Sequence, residues 1–306
     1  MTSADVNGDG LEDVFIGGAA GQSGVLYLQT SAGKFVRSSS QPWQADKTSE
    51  DVGSLFFDAD GDGDSDLYIA SGGNEWFMPA SELQDRLYIN DGKGNFLKAE
   101  DALPVEVYSA SCVTAADFDK DGDLDLFVGA RCLPGNYPLS IGSIILRNDF
   151  DRGTGKPQFT NVTAEIAGDD LFKAGMITDA FWNDIDKDGW PDLVVAGDWM
   201  PVTIYRNEGG KKLLANPVEY SNGWWCRIIP ADVDNDGDID FIAGNLGTNT
   251  QFKVNRQEPL TTYVGDFDNN GRLDPIMTWY IQHASYPFNT RDEITAQLPI
   301  LNKKFL

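Results

Sequence analysis

The sequence predicts an all-β fold, a β-propeller made of four-stranded blades, and three observations lead to that prediction. One nine-residue pattern rich in Asp recurs six times in 306 residues. Short apolar runs with many β-branched and aromatic residues flank the copies, which is typical of strands. Successive copies begin 34 to 67 residues apart, the length of a repeat that supplies one blade.

The composition fits a large globular chain with an unusual choice of acidic residue. The chain is 41% apolar, has a formal charge of −25 and contains 37 Asp against 11 Glu. So strong a negative charge disfavours nucleic acid and anionic membranes as partners. No run approaches the roughly 20 apolar residues that membrane insertion requires. Because Asp suits tight turns and oxygen-rich cation sites, its excess indicates such sites.

Each copy of the pattern reads Asp, any residue, Asp or Asn, any residue, Asp or Asn, Gly, two further residues and Asp. The predicted cation shell takes side-chain oxygens from positions 1, 3 and 5, the backbone carbonyl of position 7 and the carboxylate of position 9. Gly at position 6 makes the turn, since a Cβ is costly at positive φ. An all-oxygen shell from a flexible loop favours Ca²⁺ over Mg²⁺, and Zn²⁺ would require His or Cys. Asp-Gly turns without a metal are the alternative.

The pattern predicts up to six structural Ca²⁺ sites, which we number loops 1 to 6 along the chain. Loops 1 and 6 have Asn7 and Asn270 in place of an Asp, so each lacks one negative charge and is expected to bind Ca²⁺ more weakly. The predicted ligands are Asp5, Asn7, Asp9, Leu11 and Asp13 in loop 1, Asp58, Asp60, Asp62, Asp64 and Asp66 in loop 2, Asp117, Asp119, Asp121, Asp123 and Asp125 in loop 3, Asp184, Asp186, Asp188, Trp190 and Asp192 in loop 4, Asp232, Asp234, Asp236, Asp238 and Asp240 in loop 5, and Asp266, Asp268, Asn270, Arg272 and Asp274 in loop 6.

The strand pattern places each loop between two antiparallel strands, A and B, which strands C and D follow. In the second unit these strands are predicted at 52–58, 66–73, 86–91 and 96–100. A propeller is favoured over a sandwich or a solenoid, because a closed ring of blades hides sheet edges that the other two folds leave open. We predict seven blades, with a six-bladed or incomplete ring as the alternative. Loop 1 begins so near the start that its strand A is expected to be missing. The short last spacing indicates a shortened fifth blade or an irregular closing element.

These residues resemble the FG-GAP or VCBS repeat proteins, in which a DxDxDGxxD calcium loop joins the first two strands of a blade, as in the integrin alpha-subunit propeller. The match runs from Asp5 to Asp274, and 278–305 resembles the region after the propeller motifs in bacterial proteins of the cartilage-acidic-protein and UnbV type. The resemblance implies an exported propeller, extracellular, periplasmic or at the cell surface, that calcium stabilises. We expect one domain over 1–306, with a less regular closing or post-propeller segment at 275–306, and a longer parent protein because a repeat begins mid-way.

The sequence contains few constellations that could support catalysis. His283 is the only histidine, so a Ser-His-Asp or Cys-His arrangement could use only this residue, and its polar surroundings predict a surface position. We therefore expect no catalytic residues and a role in protein binding, adhesion or scaffolding. A carbohydrate-binding or polysaccharide-degrading propeller is the alternative, because paired carboxylates are abundant and exposed tryptophans could stack on sugars.

Strand direction predicts where a partner binds. The A–B and C–D turns share one end of the propeller, and the B–C connections, which vary in length and chemistry, lie at the other. Loops on a rigid scaffold commonly carry recognition. We therefore predict a surface for a protein or glycan ligand on the B–C face, with loops that merely pack over the mouth as the alternative. The aromatic and Arg residues there, of the types enriched at interaction hot spots, are Trp76, Phe77, Arg131, Tyr137 and Trp199.

The three cysteines cannot all be paired within one chain. Cys112 and Cys132 lie almost symmetrically on either side of loop 3, on predicted strands A and B. Antiparallel pairing would bring them close, so we predict a disulfide between them and a buried, unpaired Cys226.

Overall fold

The computed structural model describes residues 1–150, 153–247 and 249–303, and β-strands dominate in these ranges. The predicted all-β class is confirmed. The first 16 strands form four antiparallel four-stranded units, which we call blades 1 to 4. The strands are β1 (Thr2–Ala4), β2 (Asp13–Ile16), β3 (Val25–Gln29) and β4 (Phe35–Arg37) in blade 1, β5 (Glu50–Phe57), β6 (Asp66–Gly72), β7 (Arg86–Asn90) and β8 (Phe96–Lys98) in blade 2, β9 (Ala110–Ala116), β10 (Asp125–Ala130), β11 (Ile144–Asn148) and β12 (Phe159–Asn161) in blade 3, and β13 (Met176–Asn183), β14 (Asp192–Met200), β15 (Thr203–Asn207) and β16 (Leu213–Pro217) in blade 4.

Within each blade the four strands pair in chain order, as the sequence predicts for strands A to D. The expectation that strand A of blade 1 is missing is wrong, because Thr2–Ala4 is long enough to form a ladder with the start of β2. Strands A of successive blades lie side by side, β1 against β5, β5 against β9 and β9 against β13. The blades are therefore arranged around a common line, as in a propeller.

The C-terminal part of the chain is less regular. Between β18 and β19 the described residues contain no strand, so the fifth unit has two strands, as the short final spacing predicts. Loop 6 lies in a separate three-stranded sheet, and the helix after it begins with a capping box at Thr290 and Glu293. The elements are β17 (Gly223–Ala231), β18 (Asp240–Asn245), β19 (Thr261–Tyr263), β20 (Ile276–Ile281), β21 (Ala284–Pro287) and α3 (Arg291–Gln297), with the short helices α1 (Thr163–Ile166) and α2 (Gly168–Phe172) between blades 3 and 4.

Hydrophobic cores lie between neighbouring blades. Between blades 1 and 2, the buried Trp43 packs edge-on against Phe15, Tyr88 and Phe96, with ring centroids 5.0 to 5.6 Å apart. Its indole N–H donates to the Gly24 carbonyl at 2.9 Å, so the ring is buried without an unsatisfied donor. Similar clusters separate blade 2 from 3 and blade 3 from 4. Because both faces of strands B are covered, β6 and β10 are buried throughout, which explains their continuous apolar sequences.

The predicted disulfide between Cys112 and Cys132 is wrong, since all three cysteines are free thiols. Cys112 pairs with Gly129 across β9 and β10, and the register then shifts between Gly129 and Ala130. Because β10 ends at Ala130, Cys132 lies beyond the ladder that was expected to bring it opposite Cys112. Cys226 is exposed rather than buried. It lies where the register between β17 and β18 shifts, between Trp225 and Arg227, so the alternation of buried and exposed side chains is interrupted there.

A buried polar network connects blades 2 and 3 at the end opposite the Asp-rich loops. The Asp85 carboxylate accepts hydrogen bonds from the Tyr68 hydroxyl at 2.6 Å, the Ser71 backbone N–H at 2.6 Å and the Tyr108 hydroxyl at 3.3 Å. Burial raises the pKa of Asp85 to about 6, although these donors and the neighbouring Arg86 favour the ionised form.

The raised pKa of Asp85 predicts a pH-dependent contribution to stability. An unfolded Asp titrates near 3.9, so the protonated carboxyl stabilises the fold fully below pH 4, and this contribution is lost as pH rises through 6. We expect the free energy of unfolding to fall between pH 4 and 7 by up to about 3 kcal/mol more in the parent protein than in Asp85→Asn. Urea unfolding at fixed calcium concentration measures this difference, and parallel pH profiles for the two proteins would contradict it.

Candidate metal centres

The six Asp-rich loops each join two consecutive antiparallel strands, in the place that the sequence predicts. The first five join strands A and B of the blades, and the sixth joins the first two strands of the closing sheet. The loops lie between β1 and β2, β5 and β6, β9 and β10, β13 and β14, β17 and β18, and β19 and β20.

The backbone of all six loops curls around the first carboxylate. In every loop the N–H of the position-6 glycine donates to the position-1 Asp, with N–O distances of 2.7 to 3.2 Å. These glycines have φ between +80° and +100°, which L-residues rarely adopt, so the predicted requirement for glycine at position 6 is met. Position 4 also has positive φ, which the pattern did not reveal because Lys120 and Lys187 stand there in loops 3 and 4.

Five of the loops gather three carboxylate groups each, with one oxygen from every group within 4.8 Å of the others. Two carboxylates about 4 Å apart repel one another by about 4 kcal/mol at a protein-surface dielectric, so the arrangement suits a bound cation. The groups are Asp58, Asp60 and Asp62 in loop 2, Asp117, Asp119 and Asp125 in loop 3, Asp184, Asp186 and Asp192 in loop 4, Asp232, Asp234 and Asp240 in loop 5, and Asp266, Asp268 and Asp274 in loop 6.

Loop 2 gives the most direct test of whether these residues fit a metal ion. The Asp60 Oδ1 atom is buried and has no hydrogen-bond partner among the described residues, so it is an unpaired acceptor that a bound cation would satisfy. Burial, followed by the neighbouring carboxylates, raises the pKa of Asp60, and the same causes raise the pKa of Asp119 in loop 3. A donor set of oxygens alone, with no His or Cys, fits a hard cation such as Ca²⁺.

The Asp at position 9 has a structural role besides that of a predicted ligand. In loop 2, Asp66 accepts the N–H of Ala59 at 2.9 Å and the N–H of Asn90, at the end of strand C, at 2.8 Å. Burial raises the pKa of Asp66 to about 7 and that of its counterpart Asp125 to about 8. One carboxylate thus holds together the metal loop, the start of strand B and the end of strand C.

Basic side chains adjoin some loops. Arg206, on strand C of blade 4, forms an ion pair with Asp186, the position-3 residue of loop 4. Lys187 at position 4 of the same loop pairs with Asp238 of loop 5. The Lys120 ammonium lies 4.3 Å from the centre of the Trp190 ring, so loops 3, 4 and 5 are connected in series through these cations.

At the opposite end, the structure brings three of the five predicted partner-binding residues together. Arg131 forms an ion pair with Asp198, with an Nη2–Oδ2 distance of 2.6 Å. The Trp199 indole N–H donates to the Tyr137 hydroxyl at 2.7 Å. Trp199 has φ of +60°, which is uncommon for a bulky residue and indicates a position that the surrounding structure constrains.

The other two predicted residues lie on the B–C connection of blade 2. Phe77 is 72% exposed and packs over Gly135 of the next connection, whose ideal Cβ position lies 2.5 Å from the ring. The N–H of Gly135 donates to the Asn74 side chain at 2.6 Å, so the two connections are joined. Trp76 lies apart from this group, because its indole N–H donates to the Thr48 carbonyl at 3.3 Å.

Further aromatic rings continue from Trp199 towards the closing sheet. Trp199 meets Trp224 edge-on at 4.8 Å between centroids, and Trp224 meets Phe252 at 6.1 Å. Phe252 in turn contacts Trp279 and Phe288. This row was missed in the sequence because its members come from segments far apart in the chain and share no periodic pattern.

The predicted surface position of His283 is confirmed, since its side chain is exposed and the ring contacts Glu258. Among the described residues, none of the helices has the length and apolar character needed to cross a membrane.

Comparison with known protein families finds three matches to the FG-GAP-like repeat, at residues 5–69, 58–128 and 184–243. These segments contain loops 1 to 5 and all or the first part of the strands B that follow them. No curated protein matches the chain. FG-GAP repeat proteins are generally not enzymes, often bind calcium and are typically extracellular or at the cell surface. The matched segments cover more than half of the sequence, and this chain therefore belongs to the FG-GAP-like repeat family.

Proposed function

We propose that the chain is a non-catalytic propeller, stabilised by calcium, that binds a protein partner outside the cell or at its surface. The observation that carries the proposal is the gathering of three carboxylates within 4.8 Å in each of five loops, on a family of repeats that often binds calcium. We propose one domain over residues 1–306, part of a propeller of seven or six blades or an incomplete ring, in which four four-stranded blades and a two-stranded fifth unit precede a closing segment at 275–306.

Calcium in this proposal is structural. The loops lie at the strand A–strand B turns, where an ion would neutralise carboxylates that repel one another and hold two strands of a blade in register. The position-9 Asp would link the ion to strand C, since in loop 2 it also accepts the N–H of Asn90. Up to six ions are proposed, with weaker binding at loops 1 and 6.

The partner would bind at the B–C face. Support comes from the joined connections there, which present Phe77, Arg131, Tyr137 and Trp199 on an ordered surface. Arg131 is held by Asp198, and Trp199 is fixed by Tyr137, so these side chains would lose little conformational freedom on binding. Rigid aromatic residues and Arg are the types most often found at binding hot spots of protein interfaces.

A glycan ligand is the second candidate. The row of rings from Trp199 through Trp224 to Phe252 favours it, since aromatic rings can stack on sugars. The rings contact one another edge-on and Phe252 is buried, which leaves fewer open faces than a sugar-binding platform requires. A protein partner is therefore proposed first.

Calcium removal is expected to destabilise the protein. Each site occupied at 100 times its dissociation constant stabilises the fold by about 2.7 kcal/mol, so chelation should lower the melting temperature by several degrees and Ca²⁺ should restore it. Differential scanning calorimetry with elemental analysis measures both effects. Asp60→Ala should lower the gain from calcium, because its buried oxygen has no other partner among the described residues.

The matched control is Asp101→Ala, which removes an exposed Asp outside the six loops and should leave the gain from calcium unchanged. Mg²⁺ at the same concentration should stabilise less than Ca²⁺, because it retains several waters and tolerates a flexible oxygen shell poorly. The calcium proposal would be refuted if the protein contains no metal and its melting temperature changes neither with the chelator nor with added Ca²⁺.

Substitution at the B–C face is expected to weaken partner binding without changing the response to calcium. The combined variant Trp76→Ala, Arg131→Ala and Trp199→Ala should reduce affinity at least 30-fold, as loss of hot-spot residues does. Binding of the labelled protein to panels of extracellular proteins and of glycans measures the affinity, and the panel that gives the signal decides between the two candidate ligands.

The control for this variant alters the opposite end of the molecule. Phe35→Ala with Lys93→Ala removes two exposed side chains near the C–D turns and should keep full affinity. If binding is lost in the control and kept in the B–C variant, the partner site lies at the metal-loop end.

A further inference from the structure

We infer that Asn90, Asn148 and Asn207 are positioning residues for the metal loops of neighbouring blades, an inference that rests on the calcium function proposed above. Each Asn ends strand C of its own blade. Its side chain reaches the preceding blade, so that one residue contacts two loops. We call these three residues the Asn clamps.

The bond from the clamp side chain to the preceding loop is the same in three blades. The side-chain Nδ2 of Asn90 donates to the Val6 carbonyl of loop 1, and that of Asn148 donates to the Ala59 carbonyl of loop 2, each at 2.8 Å. The Nδ2 of Asn207 donates to the Phe118 carbonyl of loop 3, again at 2.8 Å. The three clamp residues are at most 5% exposed, so water does not compete with these hydrogen bonds.

The main chain of each clamp residue bonds to its own blade. The N–H of Asn148 donates to Asp125 at position 9 of loop 3 at 2.8 Å, and the N–H of Asn207 donates to Asp192 of loop 4 at 2.8 Å. The side-chain bond and the main-chain bond of one Asn therefore reach different loops. Substitution of the Asn148 side chain removes the bond to Ala59 and keeps the main-chain bond to Asp125. The side chains of Asn90 and Asn207 also donate to their own loops, at the Ser65 carbonyl (3.2 Å) and the Pro191 carbonyl (3.0 Å).

The carbonyl that each clamp binds belongs to position 2, between the predicted ligands at positions 1 and 3. In loop 2 the N–H of Ala59 donates to Asp66 at 2.9 Å, while the Ala59 carbonyl accepts from Asn148. The peptide groups on both sides of Ala59 are thus held in place. Their orientation sets the direction in which the side chains of Asp58 and Asp60 point. The clamp would therefore orient the ligands before an ion binds.

The position-2 residues are more deeply buried in the clamped loops than in loops 5 and 6. In loops 1 to 3 the position-2 residues are at most 1% exposed, whereas Val233 in loop 5 is 57% exposed and Phe267 in loop 6 is 46% exposed. No clamp reaches loops 5 and 6 within the described ranges. The presence of a clamp and the burial of position 2 thus coincide.

The turn after strand C packs on the same neighbouring loop. Gly210, in the C–D turn of blade 4, has φ of +73°, and a Cβ there would lie 2.7 Å from the Asp119 Cα of loop 3. The N–H of Gly210 donates to the Asn207 side-chain oxygen at 2.8 Å, which aims the amide nitrogen at Phe118. The packing of blade 4 on loop 3 and the conformation of loop 3 are therefore coupled through Asn207.

Asn148→Ala tests the inference in the full chain. The amide signals of ¹⁵N-labelled Gly63 and Gly122 report loops 2 and 3 separately during Ca²⁺ titration, because each N–H bonds to the first carboxylate of its loop. We expect the midpoint for Gly63 to rise roughly tenfold, as loss of an outer-shell partner commonly does. The midpoint for Gly122 should stay unchanged, since the main-chain bond from residue 148 to Asp125 remains.

Two further variants complete the experiment. Asn207→Ala should move the effect to Gly122 and leave Gly63 unchanged, which keeps the inference testable if Asn148→Ala fails to fold. Asn136→Ala, which removes a half-buried Asn whose Nδ2 donates to the Pro134 carbonyl at 3.1 Å and which lies outside the six loops, should alter neither midpoint.

Equal shifts of both signals, or no shift of either, in the Asn148 variant would overturn the inference, because the residue would then act on global stability or not at all. Glycine signals that ignore Ca²⁺ in the parent protein would instead overturn the calcium proposal, and this inference with it.

Discussion

The buried carboxylate at position 9 is the interaction on which the rest of the structure depends. Asp66 accepts N–H groups from Ala59 in the loop and from Asn90 at the end of strand C, so it fixes three strands of its blade relative to one another. Its burial raises its pKa to about 7, although the two backbone hydrogen bonds favour the ionised form. A cation bound among the loop carboxylates would favour the ionised form further, and metal binding would then be linked to the packing of the strands. Asn cannot replace this residue without loss, because a neutral amide offers one acceptor where the carboxylate offers two.

Most of the blade structure and of the metal loops could be predicted from the sequence because their determinants are local. Nine contiguous residues contain every predicted ligand of a loop, and strands B read as apolar runs because both of their faces are buried. Contacts across blades could not be predicted in this way. The Asn that ends strand C is visible in three repeats, but its partner lies 89 residues earlier in the pair of Asn148 with Ala59. The predicted disulfide failed for a related reason, since the register shift after Gly129 leaves no signal in the residue pattern.

The two ends of the molecule are ordered by different interactions. At the metal-loop end, backbone N–H groups converge on carboxylates within single loops, and an Asn of the next blade binds a loop carbonyl, as Asn148 does with Ala59. At the B–C end, side chains from consecutive connections bind one another, as Arg131 does with Asp198 and Tyr137 does with Trp199. These contacts contain no metal ligand, so their geometry depends on blade packing alone. Sequence variation among the connections can therefore change the chemistry of the B–C face while the loops that stabilise each blade remain intact.

The loops also differ along the chain in how much of the ligand geometry the protein itself provides. In loops 1 to 3 a neighbouring blade buries position 2 and holds its carbonyl, so an ion binding there finds carboxylates that are already oriented. In loops 5 and 6 position 2 is exposed, as Val233 and Phe267 show, and the ion must also restrict a loop that solvent surrounds. Ordering the exposed loop costs conformational entropy, and this makes the free energy of ion binding less favourable. The same set of ligands would then form a weaker site. If calcium binds as proposed, it would mainly neutralise charge within a formed structure at the N-terminal loops, whereas at the C-terminal loops it would also help to form the structure.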